Sequence, residues 1–168
     1  LQSMNWLKIF YYLLFTSVSL IGYGQHKFKI KLNINLRPTE NFRQNLKNCD
    51  VIFYKNDIKI DSIRLKKHTL KKTIKSIGLY KIEFKKNNYV AKHVIINAHS
   101  LPKKKGGKYV LKADISLFRR NENQNLDFLK KEPISIAYYN EIREELIWDF
   151  EYNRSVVEKI IHVQTKNK

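Results

Sequence analysis

The residues best suited to bind something are four lysines around a diglycine: Lys103, Lys104, Lys105 and Lys108, flanking Gly106-Gly107. A flexible cationic loop of this kind gains about 1 kcal/mol per lysine beside an anionic membrane surface, and less at physiological salt. The plainer reading is a solvated loop, because the pairs Lys66-Lys67, Lys71-Lys72, Lys85-Lys86 and Lys130-Lys131 also fall at turns. A second candidate is the aromatic series Trp148, Phe150 and Tyr152, whose spacing of two places all three on one face of a strand. Such a stripe serves either as a carbohydrate-stacking or partner surface, or as core packing against a terminal helix. The acids Glu141, Glu144 and Glu145 cluster in a charged turn, and Glu144 with Asp149 are the types that could pair as general acid and base. Nothing in the sequence places them in a cleft. Of the five histidines, His93 and His99 bracket one strand and so sit at opposite ends of it. There is no Gly-rich phosphate loop, nucleophile elbow or His-Glu helix motif. The expectation is therefore no catalytic residue, no cofactor and no metal.

The elements that would carry these residues are mostly strands. Phe28, Ile30, Leu32, Ile34 and Leu36 alternate with Lys27, Lys29, Lys31, Asn33 and Asn35, as in a half-buried strand. Val51–Tyr54 and Ile58–Ile63 flank the tight turn Lys55-Asn56-Asp57 and predict a hairpin. Leu70–Ile74 is a weaker strand, Gly78 introduces Leu79–Phe84, and Asn87-Asn88 is the next turn. Tyr89–Asn97 continues the meander, and Tyr109–Phe118 closes a set of seven strands. That number, with turn signals every eight to twelve residues, predicts an all-β, seven-stranded transthyretin- or immunoglobulin-like β-sandwich. After a polar link from Arg119 to Asn125, Pro133–Tyr139 and Leu146–Tyr152 predict a C-terminal β-hairpin. One short helix is expected from Ser155, where Ser155 and Glu158 form a capping box and Val156, Val157, Ile160 and Ile161 share a face.

The 168-residue chain carries a formal charge of +18, which draws polyanions or reflects a lysine-rich codon usage in which Asn and Ile are also abundant. Lysine far outnumbers arginine, the side chain that planar phosphate recognition prefers. Cys49 is the single cysteine, so an internal disulfide is excluded; it reads as a small buried hydrophobe. Residues 1–25 read as a signal peptide: Lys8, an uncharged stretch from Ile9 to Ile21, and small residues ending at Gly24, the expected cleavage point. As a helix the apolar stretch reaches about 20 Å, short of a hydrocarbon core of roughly 30 Å. No cysteine follows the cleavage point, which disfavours a lipid anchor. Export makes the chain periplasmic, outer-membrane-associated or secreted, with no transmembrane span once matured, and argues against nucleic acid as a partner. The expected division is 1–25 signal, 26–120 sandwich and 121–168 a hairpin and helix extension.

The order of elements resembles the carboxypeptidase regulatory-like domains, transthyretin-like sandwiches of exported bacterial proteins. The resemblance rests on Val51–Asp57, Gly78–Phe84, Asn88-Tyr89-Val90 and Val94–Asn97, with a tail like Pro133–Tyr138 followed by Trp148–Tyr152. The family usually has glycine where Asn88 stands, and an Asp-Gly-type turn where His68–Lys71 stand. What the resemblance implies is a non-enzymatic envelope module for binding or structural support, contacting an envelope protein, a glycan or an anionic lipid surface. The alternative is a subunit of a larger envelope assembly for secretion, gliding or outer-membrane transport, docking through its aromatic C-terminal hairpin. In either case the inner faces of the paired sheets are expected to leave no room for a reaction centre.

Overall fold

The computed structural model describes residues 29–41, 43–102, 107–121 and 125–166. The proposed signal peptide and its cleavage point lie outside the described residues. Among the described residues nine strands form two sheets, which makes the body a two-sheet β-sandwich as expected. Strands β1 (Lys29–Pro38), β4 (Thr69–Ile74) and β7 (Lys108–Leu117) make the smaller sheet, in the order β4-β1-β7. Strands β2 (Cys49–Lys55), β3 (Ile58–Leu65), β5 (Leu79–Lys85), β6 (Lys92–Asn97), β8 (Ser135–Asn140) and β9 (Glu145–Trp148) make the larger, in the order β3-β2-β5-β6-β8-β9. The strand count exceeds seven because the C-terminal hairpin does not stand apart. It extends the larger sheet by pairing β8 with β6, as a hairpin that cannot persist alone in water requires.

Alternation places the core. Ile30, Leu32, Ile34 and Leu36 of β1 are buried, while Lys29 before them and Lys31 among them are exposed. They face Val51 and Phe53 of β2 and Phe84 and Ile82 of β5, which pair across the larger sheet as Val51↔Phe84 and Phe53↔Ile82. Cys49 belongs to this core; its thiol donates to the Lys85 carbonyl at 3.3 Å. Burial, reinforced by the adjacent Asp50 charge, pushes that thiol up to about 12, so it stays protonated.

The turns follow from residue type. Asn56 and Asp57 both have positive φ (48° and 64°), the backbone of a two-residue hairpin turn whose twist matches its strands. Asn88 also has positive φ, at 64°, so the position where the resembling family has glycine does need the left-handed region. At Gly78 the backbone φ of 148° is one that side-chain-bearing residues rarely adopt, which favours glycine.

Three expectations need correction. The sheets are mixed and not a meander: β1 pairs with β7 in parallel, and so does β6 with β8. Tyr89 is not part of β6 but makes an isolated bridge to Arg119. Between the polar link, which ends at Asn125, and β8, a 3-10 turn spans Asp127–Lys130 and buries Leu129. The largest difference is at the C-terminus. β9 ends at Trp148, and helix α1 runs from Phe150 to Lys166. Asp149 stops the strand: its carboxylate accepts the Tyr152 N–H at 2.9 Å, and its carbonyl accepts that of Asn153 at 3.0 Å. A helix so capped takes Phe150 and Tyr152 out of the strand, while Ser155 lies inside it and donates to the Tyr152 carbonyl.

Val156 and Ile160 of α1 bury against Val90, Leu126 and Leu129 in a second, smaller core; Ile134 packs against both cores and joins them. No helix among the described residues is long and apolar enough to cross a membrane.

Candidate functional site

The two sheets do not close on each other everywhere. Along the outer edge of β7, roofed by α1, lies a cavity of about 410 Å³. Its floor is the backbone of β7 from Lys112 to Ser116 together with Val94 of β6. Its walls are Ile134, Trp148 and the helix residues Asn153, Val156, Val157 and Ile160. The space at the β7 edge is therefore not completely filled.

One lining side chain breaks the apolar pattern. Lys92 opens β6 opposite Phe84, on the inward face that Val94 and Ile96 continue, and is only 4% exposed. Its Nζ donates to the Ser116 carbonyl at 2.5 Å and sits 3.7 Å from the centroid of the Phe118 ring. Burial alone drives this amine down to about 7 from its usual 10.5. The carboxylate nearest along the cavity wall, Asp114, is engaged elsewhere: Arg37 lies 3.7 Å from one oxygen, and Asn35 Nδ2 donates to the other at 2.8 Å. A second polar atom meets the same space from α1. Asn153 Oδ1 is buried and has no hydrogen-bond partner in the protein, which is uncommon and costly.

The sequence pointed to neither residue, yet a signal for Lys92 was there. It occupies an inward position between Val90 and Val94, where alternation calls for an apolar side chain. Asn153 sits in a segment read as following a strand, so its helical face could not be assigned.

Trp148, Phe150 and Tyr152 do not form one face. Trp148 is half-buried and donates from Nε1 to the Lys112 carbonyl at 2.8 Å, tying β9 to the edge of β7. Tyr152 is half-buried and donates to the Pro133 carbonyl at 2.9 Å. Phe150 is 67% exposed. It lines up instead with Val157 (51%) and Ile161 (52%), seven and four residues on, as one exposed stripe along α1. Of the proposed basic loop, Lys103, Lys104 and Lys105 lie outside the described residues, and Lys108 is exposed at the start of β7.

Glu141 and Glu144 lie in the exposed hairpin turn, Glu145 opens β9, and Asp149 follows its end, so Glu144 and Asp149 flank the two ends of that strand. His93 is buried on the other face of the sheet from Lys92, and its pKa is lowered by burial and then by the Lys81 charge. Among the described residues no three His, Cys, Asp or Glu side chains are grouped to hold a metal ion. A broader hollow of about 790 Å³ beside β2 and β5 is lined by mixed charges, where Lys85 pairs with Glu83 at 3.0 Å.

No family model matches this chain, and no curated protein matches it. Among solved structures, the Bacillus anthracis TIE protein is similar over 55% of this chain, with 16% identity and a TM-score of 0.43. The chain spans 18% of the length of that protein.

Proposed function

We propose that this chain is a non-catalytic, exported binding module of a bacterial cell envelope, built on a carboxypeptidase regulatory-like sandwich. The observation that carries the reading is the exposed stripe of Phe150, Val157 and Ile161 along α1. Three large apolar side chains exposed along one helix face, with the Arg154 guanidinium 5.2 Å from the Phe150 ring, are the kind of surface that marks a contact. The opposite stripe of the same helix, Val156 and Ile160, already anchors it to the sandwich. Export rests on the apolar segment that ends before Gly24. A non-catalytic role is supported by the dispersal of the acids, with Asp149 committed to capping α1 and Glu141 exposed in a turn.

The alternative, a subunit of a larger envelope assembly, draws on the position of Phe150 at the junction of hairpin and helix. One experiment tests both readings. The chain is immobilised and exposed to solubilised envelopes, beside a variant carrying Phe150→Asp, Val157→Asp and Ile161→Asp. Retention of a single stoichiometric protein by the wild type, lost in the variant, supports the assembly subunit. Salt-reversible retention of anionic glycan or lipid supports a binder acting through its +18 charge. Equal retention by both proteins removes the stripe as the contact.

A further inference from the structure

We propose that the cavity between β7 and α1 is a binding site for a small apolar carboxylate. Its head group pairs with the Lys92 ammonium, and its body lies on Val94, Ile115, Ile134 and Val156. Val157 lines both this cavity and the exposed stripe on α1, while Lys92, Val94, Ile115 and Val156, which would hold the guest, are buried and take no part in the stripe.

Three observations converge on this ligand class. The first is the unbalanced charge. An ammonium has three N–H donors; on Lys92 one goes to the Ser116 carbonyl and the Phe118 ring faces the group, which leaves a donor for a guest. Neither partner is an anion. A buried cation without a counter-ion is expensive, and a carboxylate brought by the ligand removes that expense.

The second is the shape and lining of the space. A volume of about 410 Å³ with mainly aliphatic walls and few polar groups is the form small-molecule sites take. The third is Asn153 Oδ1, a buried acceptor with no partner in the protein, which gives the far wall a second polar contact for a guest or a water it carries in.

The charged groups around Lys92 make the preference one-sided. From β7, Lys112 and Asp114 line the cavity, and Asp114 is held by Arg37 and Asn35. From β5, Phe84 stands opposite Lys92. On β6 itself, His93 faces the other side of the sheet. The lining residues of β8, β9 and α1 (Ser135, Trp148, Asn153 and Val156 among them) carry no charge. Asp114 is thus the one carboxylate in the lining, and Arg37 and Asn35 hold it rather than Lys92. Because the amine titrates near neutrality, anion affinity falls as the pH rises through that range and the ammonium loses its proton.

The test compares octanoate with 1-octanol on the full chain, followed by amide chemical shifts and calorimetry at pH 6 and pH 8.5. Octanoate is expected to shift Lys92, Ile115, Ile134 and Asn153 and to bind about tenfold more tightly than octanol at pH 6, the scale of one hydrogen bond to a charged group. That preference shrinks at pH 8.5 and disappears in Lys92→Met. Equal affinity for acid and alcohol overturns the proposal, as does a preference that survives Lys92→Met or shifts confined to other surfaces. If Lys92→Met does not fold, titration of the Lys92 Cε resonance in the wild type decides. Saturating octanoate must raise its midpoint, and an unmoved midpoint overturns the site. Neither result depends on whether envelope partners are captured through α1.

Discussion

The two ends of the inter-sheet space are built on opposite rules. Under β1, the facing strands β2 and β5 present Phe53, Ile82 and Phe84, and the polar residues between the apolar ones turn outward. At the β7 edge the same layer holds Lys92, an unpartnered amide oxygen of Asn153 and a cavity. The first region needs its residues only to be apolar and of the right volume. The second keeps groups that cost stability. A fold able to fill one half with Ile, Leu and Phe could fill the other the same way, so the polar half is where function is to be sought.

The contrast can be broken most forcefully from the apolar side. Phe53→Ala, which removes a buried ring paired with Ile82 across the larger sheet, should cost about 3–5 kcal/mol in urea unfolding. A loss below 1 kcal/mol would mean that this core is not tightly filled. From the polar side the sign reverses. Lys92 titrates near 7 in the folded protein and near 10.5 unfolded, so the unfolded chain binds the extra proton between those values. Stability therefore rises with pH across that window, and the penalty is fully present below it. Lys92→Met should stabilise the protein at pH 6 by on the order of 3 kcal/mol, after losing the bond to Ser116, and by much less above pH 10. Urea midpoints at the two pH values check this, and a destabilised variant at pH 6 would mean that the ammonium is well accommodated. His93 adds in the same direction at lower pH, because its folded pKa is also lowered: stability falls as pH drops through its unfolded value.

The smallest effect sharpens where the roof of the cavity begins. Asp149→Ala should cost about 1 kcal/mol by uncapping α1, whereas Ser155→Ala, within the helix, should change stability by less than about 0.5 kcal/mol. The reverse order in thermal melts would place the helix start at Ser155 after all.

How far the chain could be read beforehand divides along the same line. Alternation in β1, the Asn56-Asp57 and Asn88 turns and the burial of Cys49 are local properties, and each was legible from neighbours in sequence. The parallel partners of β1 and β6 were not, because alternation states which face is buried and not which strand lies alongside. The C-terminal helix was misplaced for a sharper reason. Trp148, Phe150 and Tyr152 satisfy a period of two, but Val156 and Ile160 continue a helical period that includes Tyr152 and Asn153 once Asp149 is taken as the cap. Two periods overlapped, and the cap decided between them. Lys92 was visible as an interruption between Val90 and Val94, but an interruption becomes a site only when the fold shows that nothing anionic meets it. Trp148 could be named as important, yet its partner, the Lys112 carbonyl, is a backbone atom that no side-chain pattern can reveal.

The parallel pairing of β1 with β7 sets the order of assembly. Asn35 meets Thr69 across 34 residues and Asp114 across 79, and contacts this remote carry a high loop-closure cost and form slowly. A chain made from its N-terminus holds β1 ready, with four alternating buried residues from Ile30 to Leu36, long before β7 exists to cover one of its edges. During that interval the strand is an open template for a neighbouring chain. Lys29 and Lys31, exposed in the finished sheet, put like charges along that template, the kind of charge by which open strands disfavour pairing with another copy.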